Sequence, residues 1–216
     1  MSTVVLTDEA AIDRLSELGL DVESIHKILR QADAEAATCT RLDPPFMEGI
    51  MRYGRTVRFL REAYLPQGWD FDNPRNQSRA ISPDRDFAVV VSSGDAATGN
   101  EAAKPTTKNP KGATISDAVA GNQQLAFDLG AAFEPERKSQ DLLTWLFLYW
   151  PAEDEIRAEL SLPLSMDGAY VDDWDVRIIL PPMPRDPGPR IDSIPVVDGD
   201  FSLDEAAYEV PVSRRA

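Results

Sequence analysis

Cysteine and histidine are almost missing from this chain: Cys39 and His26 are the only examples of each. One thiol rules out an intramolecular disulfide. A structural zinc site draws on about four nitrogen or sulfur ligands, and the sequence offers two. A Ser-His-Asp or Cys-His relay would have to run through His26. That residue falls in a predicted amphipathic helix, where a surface imidazole is the plainer reading. Long hydrophobic runs are missing too. No stretch approaches the roughly 18 uninterrupted apolar residues of a membrane span, and the acidic N-terminus MSTVVLTDEAAIDRL has too short an apolar run for a signal peptide. The expectation is a cytoplasmic protein with no membrane contact. Lysine is scarce, five against 17 Arg. What these absences leave is a hard cation held by carboxylates as the one metal chemistry open. No catalytic residue, metal ligand or cofactor is assigned.

What is present in excess is carboxylate. The net charge is −15 over 216 residues, and it is uneven. Residues 1–40 carry eight acids against three Lys and Arg, residues 41–138 carry thirteen of each, and residues 139–216 carry sixteen acids against six Arg. Such a chain repels nucleic acid as a whole while leaving room for a local basic patch. At 43% apolar residues it can still bury a core.

The N-terminal third reads as helix. Thr7 is placed as an N-cap with Asp8 and Glu9 in the first turn, and Gly19 ends the first helix. A second helix is predicted from Val22 to about Thr38, broken by Pro44 and Pro45. The third, FMEGIMRYGRTVRFLREAY, sets Phe46, Ile50, Tyr53, Val57, Leu60 and Tyr64 on one apolar seam, with Arg52, Arg55 and Arg58 on the opposite arc. Gly49 and Gly54 weaken it and suggest close approach of another backbone. From Phe87 the pattern turns to strand: FAVVVSSG, QQLAFDL, LLTWLFLYW as the central strand, then EIRAELSLP and WDVRIILPP. In the last two, apolar residues alternate with polar ones, the mark of a sheet with one wet face. Residues 95–123 lack large apolar side chains and read as a long mobile loop. Helices followed by strands indicate α+β: three N-terminal helices packed on an antiparallel sheet of four to five strands, with an extended acidic tail. The chain divides into one domain over 1–182, its helical part about 1–66 and its sheet part about 87–182, and a Pro- and Asp-rich tail over 183–216.

Four patterns bear on function. Gly94 and Gly99 in SSGDAATGN have P-loop spacing directly after a strand, but Asn100 and Glu101 stand where that motif needs Lys and Ser or Thr, so a strand exit punctuated by Gly is the better reading. Arg52, Arg55, Arg58, Arg75 and Arg79 with Trp69 make a basic and aromatic patch of the kind that stacks and pairs with single-stranded nucleic acid. The interleaved Asp70, Asp72, Asp84 and Asp86 give the competing reading of local salt bridges. Four Asp-x-Asp pairs among 23 Asp are weak evidence beside the roughly two that composition alone scatters, and Glu136-Arg137-Lys138 has the spelling of a metal-nuclease motif but sits after Pro135 in a polar segment. Last, Asp167, Asp172, Asp173 and Asp175 display carboxylates toward a basic partner, against the plain alternative of solvation.

The run GWDFDNPRNQSRAISPDRDFAVVVSSGDAATG, followed by IRAELSLP and RIILPP, resembles uncharacterised proteins carried by phage-like and integrative mobile elements, over about residues 50–182. The resemblance implies a setting, with DNA, replication proteins and host defence complexes as neighbours, and transfers no catalytic residue. Three functions follow in order. The first is a non-catalytic binding protein of a mobile element, countering a host defence or nucleic-acid-processing complex through its acidic surface. The second is a nucleic-acid-binding accessory protein using the Arg patch, and the third an enzyme using carboxylates and a divalent metal.

Overall fold

The computed structural model describes residues 3–128 and 142–185. The fold is α+β. Eight strands form one mixed sheet in the order β1-β7-β6-β5-β4-β3-β2, with β8 pairing β6. In chain order these are β1 (Val4–Leu6), β2 (Asp70–Asp72), β3 (Arg79–Ile81), β4 (Phe87–Ser93), β5 (Leu143–Pro151), β6 (Glu155–Asp167), β7 (Tyr170–Ile179) and β8 (Met183–Pro184). The helices are α1 (Asp8–Glu17), α2 (Val22–Ala36), α3 (Met47–Tyr64) and α4 (Ala113–Asp128).

Three sequence expectations change here. The sheet is not purely antiparallel, because β1 pairs β7 and β4 pairs β5 in parallel. Parallel neighbours need a crossover, and α4 supplies it between β4 and β5. So QQLAFDL is helix rather than strand as far as Asp128, and the segment 95–123 is a loop only up to Gly112. Within α4, Ile115 and Val119 recur at a spacing of four and bury one helical face against the sheet. The division into a helical and a sheet part also fails at both ends: β1 precedes the helices, β2 and β3 lie before Phe87, and Met183 of the expected tail is paired in β8. The rest of that tail, 186–216, and the Glu136-Arg137-Lys138 spelling lie outside the described residues.

The alternation of β4, β5 and β6 splits the core into two layers. Val89, Val91, Trp145, Phe147, Tyr149, Ala158 and Leu160 face Leu15, Ile25, Ile28, Leu29, Leu60 and Tyr64 of α1, α2 and α3. Val90, Leu146 and Leu148 face the other way, onto Ile115 and Val119 of α4. β5 is central and buried on both faces, as its unbroken apolar run requires. α1 ends as expected on Gly19, in the left-handed region at φ 68°. Asp21 caps α2 by accepting from Ser24 N at 2.7 Å. Thr7 stands at the N-cap of α1 without making a side-chain cap bond.

The expected wet face of β6 and β7 is largely covered. Residues 95–111 lie across it. Asp95 clamps the turn by accepting from Ala97 N and from Thr106 N and Oγ1. Thr107 N donates to Val171 O, and Lys111 N donates to Ala169 O. Trp174 Nε1 donates to Pro105 O. Beneath this strap, Glu159 and Arg177 form an ion pair at 2.6 Å with side chains 0% and 3% exposed. Arg177 also donates to the carbonyls of Ala103 and Asn100, and Ser161 Oγ donates to Glu159 Oε1. Glu159, Ser161 and Arg177, which read as solvent-facing, are therefore internal and paired.

Candidate functional site

The glycine loop places its two glycines where no other residue fits. A Cβ on Gly94 would stand 2.0 Å from Thr98 Oγ1, and one on Gly99, at φ +69°, would stand 2.8 Å from Arg157 Cβ. Gly99 N donates to Glu159 Oε2 at 2.9 Å. An internal carboxylate thus holds that amide, and the loop is a packed strap rather than a phosphate cradle.

The Arg patch is taken apart by pairing. Arg52, expected on an exposed arc, is buried, with Nε 2.8 Å from Asp33 and Nη2 2.6 Å from Glu48. Arg55 pairs with Glu35, Arg58 with Glu62, Arg75 with Asp117 and Arg79 with Asp72. Trp69 is 5% exposed and packs between Tyr64 and Phe87, at ring-centroid distances of 5.3 and 5.6 Å. These residues do not form an open basic and aromatic surface. The reason is rotational: α3 buries Arg52, Thr56, Leu60 and Tyr64, a row at spacing four. The seam drawn through Phe46 and Ile50 is turned away from the core at its N-terminal end.

The acidic group lies on the β6–β7 hairpin. Asp167 closes β6 and is exposed, Gly168 at φ 57° makes the turn, and Asp172, Asp173 and Asp175 follow on β7, partly covered. Asp173 pairs with Lys104 at 3.1 Å. Register shifts at Leu162–Met166 twist this end of the hairpin.

A different place gathers unclaimed chemistry. A crevice of about 700 Å³ opens at the carboxyl end of β4, between the first turns of α3 and the stretch from Lys108 to Gly112 that leads into α4. In sheets with parallel strands ligands sit outside the carboxyl ends of those strands. Phe46, Ile50 and Tyr53 form one wall, Lys108, Asn109 and Lys111 the other, and Ser92, Ser93 and Ile115 contribute to the floor. Phe46 is 63% and Ile50 56% exposed, and Leu42, in the same α2–α3 connection, is 82% exposed. Neither Lys108 nor Lys111 has a carboxylate partner among the described residues; Lys108 Nζ lies 5.6 Å from the centroid of the Trp150 ring. Burial pushes the Lys111 ammonium down to about 8. Ser93 Oγ donates to the Tyr149 hydroxyl at 3.0 Å, and burial raises that hydroxyl above the ordinary range. Both lysines escaped the sequence reading, since isolated lysines in a polar stretch give no signal until the fold sets them opposite Phe46 and Ile50.

His26 Nε2 lies 2.9 Å from Pro181 O. Burial, then the nearby Asp43 and Glu48 carboxylates, push the Cys39 thiol up, away from the reactive thiolate. Among the described residues, no group of three or more His, Cys, Asp or Glu is arranged to hold a metal ion, and no helix is long and apolar enough to cross a membrane. The fold is α+β, and its crevice is open and lined by both apolar and charged side chains. No protein-family model matches the chain, nor does any curated protein or solved structure.

Proposed function

We propose that this is a binding protein whose partner is another protein, received in the crevice at the carboxyl end of β4 through a segment that is apolar and acidic. The observation that carries this reading is the apposition of the exposed Phe46 and Ile50 with Lys108 and Lys111, which no carboxylate of the described chain offsets. Exposed apolar side chains rimmed by charge mark interaction sites. On a chain of net charge −15, these two lysines contrast with Arg52, Arg55 and Arg58 of α3, each of which is paired with an acid. The mobile-element setting suggested by the spelling of residues 50–182 belongs to this proposal, with a host or element protein as the partner.

An anilinonaphthalene sulfonate dye, an anion on an apolar body, probes the site directly. The folded protein is expected to bind it at one site. Phe46→Ser with Ile50→Ser, and separately Lys108→Gln with Lys111→Gln, should each weaken binding by roughly tenfold, about 1.4 kcal/mol. Wild-type affinity in both variants would refute the crevice.

A second reading keeps the acidic hairpin as the partner-facing surface. It is favoured by Asp167, Asp172 and Asp175, which form no ion pair among the described residues. Reversal of Asp172 and Asp175 to Lys would then slow association with a basic partner more than it speeds dissociation.

A further inference from the structure

We infer that the crevice takes its partner as an added strand: an extended segment of the order acid–apolar–acid, whose central residue pairs through its backbone with Val91 of β4. This rests on the crevice receiving a protein segment, and it names the conformation and residue order of that segment. The observation that carries it is a gap in the sheet. Successive residues of a strand turn their N–H and C=O to opposite sides. Gly94 N donates to Tyr149 O, and Asp86 O accepts from Leu143 N, so in the parallel register of β4 on β5 the even-numbered residues bond to β5. The odd-numbered residues face away from it. On that side Phe87 O accepts from Ser82 N, Val89 stands opposite Ala80 of β3, and Ser93 O accepts from Lys108 N at 2.9 Å. Val91, between them, has no backbone partner there among the described residues. The register would put Ser78 opposite it, but β3 begins at Arg79, after a left-handed turn at Arg75 and Asn76, φ 46° and 65°. Val91 is 4% exposed and lines the crevice. A covered N–H and C=O left without partners is rare in a folded chain, and one residue of a second backbone satisfies both.

The walls of the gap set the residue order. Residues paired across antiparallel strands share a face of the sheet. Val91 faces the layer of α1, α2 and α3, so the central residue projects toward Ile50 and Tyr53, which form the apolar wall. Its two neighbours project to the other face, that of Val90 and α4, where Lys111 and Ile115 line the crevice. A carboxylate on that side meets the Lys111 ammonium. The distance from Val89 to Ser93 is about 13 Å at roughly 3.3 Å per residue. That holds one paired residue with its two flanking peptides, and the segment enters and leaves through the open side of the crevice. In strand addition the main-chain bonds supply affinity and the alternating side chains specificity.

The probe is the blocked peptide acetyl-Thr-Glu-Leu-Glu-Thr-amide, titrated into the isotopically labelled full-length protein. The Val91 amide resonance should shift saturably, and its hydrogen exchange should slow. Methylating the nitrogen of the central Leu removes the N–H that Val91 O accepts and should weaken binding roughly tenfold. Methylating the nitrogen of the following Glu, which points away from β4, should change affinity by less than about twofold. Equal affinities of the two methylated peptides overturn the inference, as does a Val91 amide unmoved at about 1 mM peptide. The sulfonate dye then separates the two failures. If Phe46→Ser with Ile50→Ser still weakens the dye, the crevice remains a binding site and only the strand pairing is lost. If the dye is unaffected, the crevice is lost with it.

Discussion

Glu159 and Arg177 show how much one side chain can decide. Both are almost fully covered and 2.6 Å apart, so removing one leaves a charge with no water to turn to. Glu159→Leu is expected to destabilise the fold by about 3–5 kcal/mol. Adding Arg177→Met should recover most of that loss, because an apolar pair of similar volume removes the stranded charge. Urea denaturation of the single and double variants checks it. Lys111 makes a prediction of the opposite kind. Burial holds its folded-state value at about 8, below the roughly 10.4 of an unfolded lysine. Between these values the unfolded chain binds a proton that the folded chain does not, so stability rises with pH across that window, and below about 8 the full cost of charging remains. Tyr64, pushed up to about 12 mainly by burial, acts in the opposite direction above pH 10. The Lys111 effect is therefore read between pH 8 and 10. Lys111→Met should remove the rise in stability that Lys111 contributes, leaving a lower slope than wild type in a series of melts over that range.

At the scale of elements, glycine has opposite meanings in α3 and in the strap. No atom lies within 4 Å of a Cβ built on Gly54, although the sequence suggested close packing there. Gly54→Ala should stabilise the helix by about 0.5–1 kcal/mol, raising the melting temperature by a few degrees. Gly99 has both a positive φ and Arg157 Cβ in the way. Gly99→Ala should cost more than about 1 kcal/mol and loosen the strap. On the far face, Asn122 fixes α4 to the sheet: Nδ2 donates to Thr144 O and Pro163 O, and Oδ1 accepts from Thr144 N. Asn122→Leu strands a buried backbone N–H and two carbonyls, an expected loss of about 1–3 kcal/mol. These outcomes are legible only once the elements are in place, since a glycine in the sequence does not say which neighbour it makes room for.

For the whole molecule, the strap over β6 and β7 changes what should be exposed. Residues 95–111 are bonded to β4, β6 and β7 through backbone and buried side chains. Limited proteolysis of the native protein should leave this segment uncut under conditions that cleave the exposed α2–α3 connection around Leu42. Early cleavage between Asp95 and Lys111 would show that the strap opens from the sheet. The same whole-molecule view explains the arginines. Each one in the expected patch finds an acid from another turn or element, so the patch is offset by pairing in space.

The sequence by itself determined the class, the three N-terminal helices, the strands β4 to β7 and the central place of β5, because these rest on periodicity and on Gly and Pro punctuation, which act locally. It also limited the chemistry through its single Cys and His. Only the tertiary structure decided that α4 crosses between parallel strands, that Arg52 turns inward to Asp33, and that Glu159 and Arg177 are covered rather than wet. It alone set Lys108 and Lys111 across from Phe46 and Ile50. Alternation tells which residues share a face but not what covers that face. A charge in the sequence carries no sign of its partner, because the pairing of Asp33 with Arg52 and Arg185 is made by packing between elements far apart along the chain.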